Sequence, residues 1–469
     1  MRMENEEKIK LPSEYEEIMK KQLGDDYQKY IDALNKEPVR GLRINTKKIS
    51  TNEFLEKTNL SLEKLSFCDD GFLLKSDEKI GNTPEHLSGL YYLQEPSSMT
   101  PVVSSEIENE NRPLKVLDLC ASPGGKTGQI ALRVSDESII FSNEIIKSRA
   151  DVLFSNVERQ GLKNVVILNE EPKSLLDFEG YFDYVFVDAP CSGEGMFRKN
   201  PETINEWSMA NVKLCADRQK DILDIAEKLV SAGGKLIYST CTFSSEEDEE
   251  IVKWFVKNYN YEIASVPKEI KDVTSKSSLL IKGGENARKF YPFVSSGEGQ
   301  FLCVFKNLDT EREVTLHKKK HFRTLNIVGR SDFLLFDEFA KSSLKSNYTF
   351  REILELGSTL YLKPEMLDEK VQTALDNLKI ISIGVKLGSI EKGRFEPNHN
   401  IFMALYDDFK QKIELSEDEL KKYLHGEELN KNIELTKGYA VATYNGQSIG
   451  GVKVVGNRLK NLYPRGLRI

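Results

Sequence analysis

Short apolar runs separated by helical patterns dominate the chain from about residue 86 to 308. The runs predict five strands, at 116–119, 139–144, 165–168, 185–188 and 235–239. Apolar residues at helical spacing predict helices between them, at 128–134, 150–159 and 214–229. This repeated order of strand then helix predicts a parallel sheet with helices on both faces, which is a doubly wound α/β fold.

The segment before this block, 1–85, has a mixed pattern. Apolar residues at helical spacing from Tyr15 to Leu34 predict a helix, and Val39 to Thr46 predicts a strand. We therefore expect a small N-terminal α/β domain. Arg40 and Arg43 on that strand belong either to a solvated face or to a surface that contacts RNA.

Three further segments follow the central block. The charge-rich stretch 309–325 predicts a linker, and 326–408 mixes helix and strand patterns in a way typical of a small α/β domain. The last segment, 409–469, predicts an acidic helix at 416–423 and then short strands with turns at Asn445–Gly446, Gly450–Gly451 and Gly456–Asn457. These turns predict a compact β-rich domain.

Composition narrows the class of protein. With 39% hydrophobic and 30% charged residues, the 469-residue chain is typical of a globular protein with several domains. It has no apolar run of about 18 residues, and its first residues lack the apolar core of a signal peptide, so we expect a cytoplasmic protein without a membrane segment. The six cysteines show no CxxC spacing, which predicts free thiols and no metal site.

The net charge of −8 argues against nucleic-acid binding, but the charges are unevenly distributed. From Lys437 to Ile469 there are six Lys or Arg and no Asp or Glu. A second basic cluster consists of Lys318, Lys319, Lys320 and Arg323. Because phosphate binding depends on local potential, both clusters are candidate RNA contacts.

A glycine-rich loop, 118–127, joins the first predicted strand of the central block to the following helix. Such a loop brings backbone N–H groups and a helix N-terminus against a ligand. Its end resembles a P-loop, but that motif needs a glycine where this chain has Cys120. A nucleoside-type cofactor fits better, because Glu144 ends the next strand, where an acid binds ribose hydroxyls. Asn169, after the third strand, is either the contact for the adenine edge or an ordinary turn residue.

Two cysteines follow neighbouring strands of the predicted sheet. Asp188 and Cys191 come at the end of the fourth strand, and Cys241 comes at the end of the fifth. Ligands of doubly wound sheets bind beyond the carboxyl ends of the strands, so all three fall beside the cofactor site. A lone cysteine is usually a small core residue, which is the expectation for Cys68, Cys215 and Cys303.

A nucleoside cofactor, an acid and thiols together suit methylation at C5 of a pyrimidine. A thiolate that adds to C6 converts C5 into an enamine carbon, which can attack a methyl group on a sulfonium. Asp188 is placed to stabilise the adduct near N3 or the 4-amino group of the base. The C5 proton and the thiol must then leave, which requires a second polar group. Spacing alone does not rank the two cysteines.

Three segments resemble the signatures of the Nol–Nop–Sun family, namely Cys120–Thr127, Asp188–Gly195 and Ser239–Thr242. Members of this family are S-adenosylmethionine-dependent RNA cytosine-5 methyltransferases. Leu42–Thr46 and Tyr92–Ser98 resemble its N-terminal motifs. Met196–Lys199 and Arg458–Arg468 resemble a bacterial branch that methylates small-subunit ribosomal RNA and carries a C-terminal PUA-like module.

The resemblance implies a Rossmann-like methyltransferase domain with a small N-terminal α/β domain and C-terminal β-rich, PUA-like RNA-binding modules. It implies that Glu144 holds the ribose of S-adenosylmethionine, that Asp188 lies between cofactor and cytosine, that Cys241 is the nucleophile and that Cys191 assists product release. The backbone that would hold the methionine and ribose parts consists of Cys120, Ala121, Ser122, Pro123, Gly124, Gly125 and Lys126.

The chain departs from the family at two positions where the family often has histidine, which here are Phe293 and Gln300. These departures bear on the placing of RNA rather than on the chemistry. The expected partner is ribosomal RNA or the small ribosomal subunit, bound by a monomer. The alternatives are an enzyme that acts on tRNA and an RNA-binding assembly factor without catalysis.

Overall fold

A computed structural model describes residues 9–316, 325–431 and 434–469. The first part contains a four-stranded antiparallel sheet in the order β2-β3-β1-β4. The helix expected from Tyr15 to Leu34 is two helices, because the chain turns at Gly24 with a positive φ of 52°. The elements are α1 (Ser13–Leu23), α2 (Tyr27–Leu34), β1 (Gly41–Ile44), α3 (Thr51–Lys57), β2 (Leu62–Lys64), β3 (Gly71–Leu74), α4 (Pro84–Leu87) and β4 (Tyr91–Leu93).

The central part follows the predicted order of strands and helices. Its elements are α5 (Thr100–Ser105), β5 (Lys115–Asp118), α6 (Gly125–Arg133), β6 (Ile139–Asn143), α7 (Lys147–Gln160), β7 (Val165–Leu168), β8 (Phe178–Glu179), β9 (Phe182–Asp188), α8 (Glu202–Glu206), α9 (Met209–Leu229), β10 (Val230–Thr240), α10 (Glu249–Asn258), β11 (Tyr261–Ile263), α11 (Lys268–Val273), β12 (Ser275–Lys276), β13 (Arg288–Phe290) and β14 (Gln300–Asn307).

The central strands form one sheet in the order β12-β13-β14-β10-β9-β5-β6-β7, with β11 also paired to β14. The strands β10, β9, β5, β6 and β7 are parallel, as predicted. Strand β14 returns antiparallel beside β10, so the sheet is mixed rather than purely parallel. The chain reverses its direction of winding between β5 and β9, and ligands of such sheets bind at that point.

Helices cover both faces of this sheet. Leu117 belongs to the core packed against α9 and α10, whereas its neighbour Val116 belongs to the core packed against α5, α6 and α7. Both side chains are fully buried, because alternate residues of a strand point to opposite faces. The predicted doubly wound arrangement is confirmed.

The described residues between 315 and 404 extend the central sheet and also form a second sheet. Strand β19 pairs antiparallel with β7, and the strands β16-β17-β18-β20-β21 form a separate sheet. The elements are β15 (Thr315–Leu316), β16 (Leu325–Ile327), α12 (Arg330–Ser343), β17 (Ile353–Leu356), β18 (Thr359–Leu362), α13 (Glu369–Leu375), β19 (Ile380–Ile383), β20 (Val385–Glu391), β21 (Arg394–Pro397) and α14 (His399–Ala404).

The last part is a five-stranded sheet in the order β22-β24-β25-β26-β23. The turn expected at Gly450–Gly451 is wrong, since β25 runs through both glycines. A Cβ on Gly451 would lie 2.3 Å from the ring of Phe402, so close packing on α14 requires glycine there. The elements are β22 (Lys412–Glu414), α15 (Glu417–His425), β23 (Leu429–Asn430), β24 (Gly438–Tyr444), β25 (Gln447–Val455) and β26 (Arg458–Asn461).

The expected linker, 309–325, lies partly outside the described residues, and the whole basic cluster of Lys318, Lys319, Lys320 and Arg323 lies outside them. Its described part is attached to the central domain, because Arg312 pairs with Glu227 and β15 pairs with β8. Among the described residues, no helix is long and apolar enough to cross a membrane.

Candidate active site

A cleft of about 320 Å³ lies beyond the carboxyl ends of β5, β9 and β10. Its walls include Asp118 and the loop that follows β5, Asp188 after β9, and Cys241 after β10. Gln300, at the start of β14, closes one side. The topology therefore places the predicted acid and one predicted thiol in the same cleft as the glycine-rich loop.

The glycine-rich loop turns directly into α6. Gly124 has a φ of 107°, and a Cβ there would lie 3.0 Å from Leu153, so this position requires glycine. Helix α6 begins at Gly125, which lines the cleft. Its first backbone N–H groups have no partner within the helix and are suited to a ligand carrying negative charge or lone pairs.

Asp118 ends β5 and has no role in the sequence prediction. Thr127 donates a hydrogen bond of 2.7 Å to its Oδ2, whereas its buried Oδ1 has no hydrogen-bond partner among the described residues. Burial raises the pKa of Asp118 to about 6. A carboxylate oxygen without a hydrogen bond, in the wall of a cleft, suits a cationic group of a ligand, such as the ammonium of a methionine moiety.

Glu144 and Asn169 lie at neighbouring strand ends but do not line the cleft itself. Glu144 is buried, and its Oε1 accepts a hydrogen bond of 2.9 Å from the backbone of Ile146. Asn169 donates to the carbonyl oxygens of Glu144 and Ile145, each at 2.8 Å. Asn169 thus fixes the loop that carries the acid, and its contact with adenine stays a prediction.

Asp188 is held by three donors. Lys126 Nζ lies 2.7 Å from its Oδ2, and Ser239 Oγ donates to its Oδ1 at 2.7 Å. Gln300 Nε2 donates to the same Oδ1 at 3.1 Å. These bonds fix the orientation of the carboxylate. The sequence prediction missed the roles of Ser239 and Gln300, although Gln300 was noted as a departure from the family.

Cys191 and Cys241 are neighbours, with their sulfur atoms 3.2 Å apart, and both are free thiols. The hydrogen bond with Cys241, together with burial, raises the pKa of Cys191 well above its ordinary value. Cys191 therefore retains its proton, and either sulfur can be the donor in its contact with Cys241. Cys120 is a poorer nucleophile than an ordinary thiol, because burial and the nearby Asp118 raise its pKa.

The basic tail lies on the surface of the last sheet. Lys437, Arg458, Lys460, Arg465 and Arg468 are exposed, and none forms an ion pair within the described ranges. Lys453 is half-buried and contacts Tyr439 at 3.0 Å. Five unpaired cations on one small domain are suited to phosphate groups. Arg43, by contrast, is buried and donates to Gln94, so it does not face solvent.

The chain matches four family models. Their descriptions are N-terminal domain of 16S rRNA methyltransferase RsmF (residues 11–96), 16S rRNA methyltransferase RsmB/F (105–306), RsmF rRNA methyltransferase first C-terminal domain (338–405) and Methyltransferase RsmF PUA domain (410–469).

Similarity to known proteins extends over nearly the whole chain. Ribosomal RNA small subunit methyltransferase F from Enterobacter sp. is 30% identical, with 94% of this chain and 92% of that protein aligned. The protein of the same name from Vibrio campbellii is 31% identical, with 93% of each aligned. The crystal structure of a methyltransferase homologue from Pyrococcus horikoshii is 28% identical, covers 64% of this chain and 96% of its own, and has a TM-score of 0.57. The chain therefore belongs to the ribosomal RNA small subunit methyltransferase F (RsmF) family.

Proposed function

We propose that this protein transfers a methyl group from S-adenosylmethionine to C5 of a cytosine in small-subunit ribosomal RNA, with Cys241 as the nucleophile. The observation that carries the proposal is the pair of sulfur atoms 3.2 Å apart, one of them in the same cleft as Asp188 and the glycine-rich loop. Membership of the RsmF family supports the substrate, since its relatives carry that substrate in their names.

The residues present fit S-adenosylmethionine. The uncommitted Oδ1 of Asp118 suits the ammonium group, the loop 120–126 and the N-terminus of α6 suit the methionine and ribose parts, and Glu144 suits the ribose hydroxyls. Asn169 is the proposed contact near the adenine. The bound cofactor supplies a methyl group made electrophilic by its sulfonium.

The remaining groups of the site are the two thiols and Asp188, which suit covalent catalysis. The target cytosine must leave its stack to reach the cleft. Cys241, as the thiolate that accepts the Cys191 hydrogen bond, attacks C6, while Asp188 binds the base near N3 and the 4-amino group. The electron pair displaced from the C5–C6 double bond makes C5 the nucleophile for methylation.

Cys191 completes the cycle. After methylation Cys241 is bonded to C6 and no longer raises the pKa of Cys191 through its hydrogen bond, so the Cys191 thiol loses its proton to solvent and the resulting thiolate takes the proton from C5. The electrons of the C5–H bond form the C5–C6 double bond, and Cys241 leaves C6 as a thiolate. The pair of sulfurs is then restored with one shared proton, and one proton is released per turnover.

The outer domains hold the RNA in this proposal. The exposed cations of the tail contact phosphates, and RNA-binding domains lie at both ends of the chain. The separate first and last sheets support the proposed boundaries at about 85 and 408, whereas β15 and β19 tie the segments 309–325 and 326–408 to the central domain. We expect the protein to act as a monomer. Ribosomal RNA as the substrate supports a cytoplasmic location.

Methyl transfer from tritiated S-adenosylmethionine to purified ribosomal RNA, small subunits and tRNA tests the proposal. We expect label in ribosomal RNA or small subunits as 5-methylcytosine. Cys241→Ala should transfer no methyl and form no covalent species, whereas Cys191→Ala should accumulate a protein–RNA adduct stable in denaturing gels. Label in tRNA alone would contradict the substrate, and an adduct with Cys241→Ala would reverse the cysteine roles. Cofactor binding without transfer to any RNA would indicate an assembly factor.

A further inference from the structure

Two buried glutamates lie behind the thiol pair and have no part in the mechanism above. Glu194 follows Cys191 in the chain and is 2% exposed, and Glu247 follows Cys241 and is fully buried. Burial raises the pKa of both carboxyl groups, that of Glu247 to about 7. Burying a carboxyl group costs free energy, so the hydrogen bonds that these two glutamates accept indicate which segments they stabilise.

Glu247 holds the turn that carries the other cysteine. Its Oε2 accepts a hydrogen bond of 3.1 Å from the backbone of Ser192 and one of 2.7 Å from Gln219 Nε2. The same nitrogen of Gln219 donates to the carbonyl oxygen of Pro190 at 3.0 Å. The backbone on both sides of Cys191 is therefore fixed by a carboxylate from the Cys241 segment and an amide from α9.

Glu194 in turn holds the segment that carries Cys241. Its Oε2 accepts a hydrogen bond of 2.9 Å from the backbone of Phe243, just after Cys241, and its Oε1 accepts one of 2.9 Å from Trp207 Nε1. Lys289 Nζ donates to the carbonyl oxygen of Phe243 at 2.8 Å, so this turn too is held at both backbone groups. Each cysteine turn is thus anchored by an acid from the segment of the other cysteine.

Direct contacts between the two turns complete the arrangement. Gly195 donates its backbone N–H to the carbonyl oxygen of Cys241 at 2.8 Å, and the hydroxyl groups of Ser192 and Thr242 lie 2.8 Å apart. A reaction that uses two thiols in succession on one base depends on their spacing, and a displacement of about 1 Å can reduce a rate about 100-fold.

We propose that Glu194 and Glu247 are positioning residues that act crosswise, Glu194 holding Cys241 for attack on C6 and Glu247 holding Cys191 for release of the product. This inference rests on the proposed roles of the two cysteines. It assigns each acid to a different half of the reaction, which a general contribution to stability would not do.

The test measures methyl transfer in a single turnover and the fraction of protein left covalently bound to RNA. Glu247→Ala should keep the rate of methyl transfer within about 3-fold of wild type and accumulate adduct, as Cys191→Ala does. Glu194→Ala should lower the rate of methyl transfer by about 100-fold and accumulate none. Glu246→Ala is the matched control, since Glu246 accepts bonds only from the hydroxyls of its neighbours Ser244 and Ser245 among the described residues.

Glu247→Gln distinguishes positioning from a charge effect. The Oε1 of Glu247 has no hydrogen-bond partner among the described residues, so a glutamine can place its amide nitrogen there and accept both existing bonds with its oxygen. We expect Glu247→Gln to release product like wild type. If Glu247→Ala does not fold, Gln219→Leu, which removes the bond to Pro190, should accumulate the adduct instead.

The outcomes distinguish a failure of this inference from a failure of the proposed function. Adduct in Cys191→Ala but not in Glu247→Ala or Gln219→Leu would overturn the inference and leave the proposed function standing. A glutamine variant as defective as the alanine variant would overturn the positioning role. Absence of adduct from Cys191→Ala would contradict the proposed function itself.

Discussion

Gln300 offers a sharp test of how Asp188 is held. Gln300→Leu keeps the volume of this buried side chain but removes the 3.1 Å hydrogen bond to Asp188 Oδ1. A hydrogen bond to a charged group contributes about 1.5–3 kcal/mol. Because Ser239 still donates to the same oxygen at 2.7 Å, the lower end applies, which corresponds to roughly a 10-fold loss of kcat/KM.

Steady-state kinetics with tritiated S-adenosylmethionine and small-subunit ribosomal RNA measures this loss. We expect it in kcat, with the KM for the cofactor unchanged, because Gln300 acts on the group that contacts the base. Gln300→His is the matched control, since an imidazole N–H can donate to the same oxygen, and it should recover most of the rate. A loss below about 2-fold, or a rise in cofactor KM that accounts for it, would refute the role assigned to Gln300.

Two further outcomes follow from the buried titratable groups. Asp118→Asn should weaken S-adenosylmethionine binding about 10- to 100-fold in calorimetry, because it removes the charge that pairs with the ammonium, and an unchanged Kd would contradict that role. Burial, with a smaller contribution from Lys48, lowers the pKa of His399 to about 4. The unfolded chain therefore binds the extra proton first, and His399 should lower the free energy of unfolding by up to about 3 kcal/mol as pH falls from 6.5 to 4. Urea unfolding of His399→Gln should show a weaker dependence over that range, and an identical dependence would refute this.

The sequence alone predicted the elements that depend on local residue patterns. The strand end at Asp188 follows from an apolar run that stops at an acid, and the glycines of the cofactor loop mark a turn into a helix. These signals place Asp188 and the cofactor loop at one edge of the sheet, because the strands are parallel. They also predict that Cys191 and Cys241 are close, since they end adjacent strands.

Contacts between distant segments were not predictable in this way. Gln300 reaches Asp188 only because β14 returns antiparallel beside β10, and β19 joins the catalytic sheet from a segment assigned to another domain. Gly450 and Gly451 look like a turn in sequence but provide space for side chains packed across β25. In each case the cause is a tertiary contact that no local pattern encodes.

Identification of the cysteine bound to RNA tests the central claim most directly. In RNA that carries 5-fluorocytidine at the target, the fluorine at C5 cannot leave as a proton, so the wild-type protein should remain attached after methylation. Mass spectrometry of the digested adduct should then find a methylated fluorocytidine on the peptide containing Cys241. The same nucleotide on Cys191 or Cys120, or methylation of normal RNA with no trapped adduct, would contradict attack by Cys241.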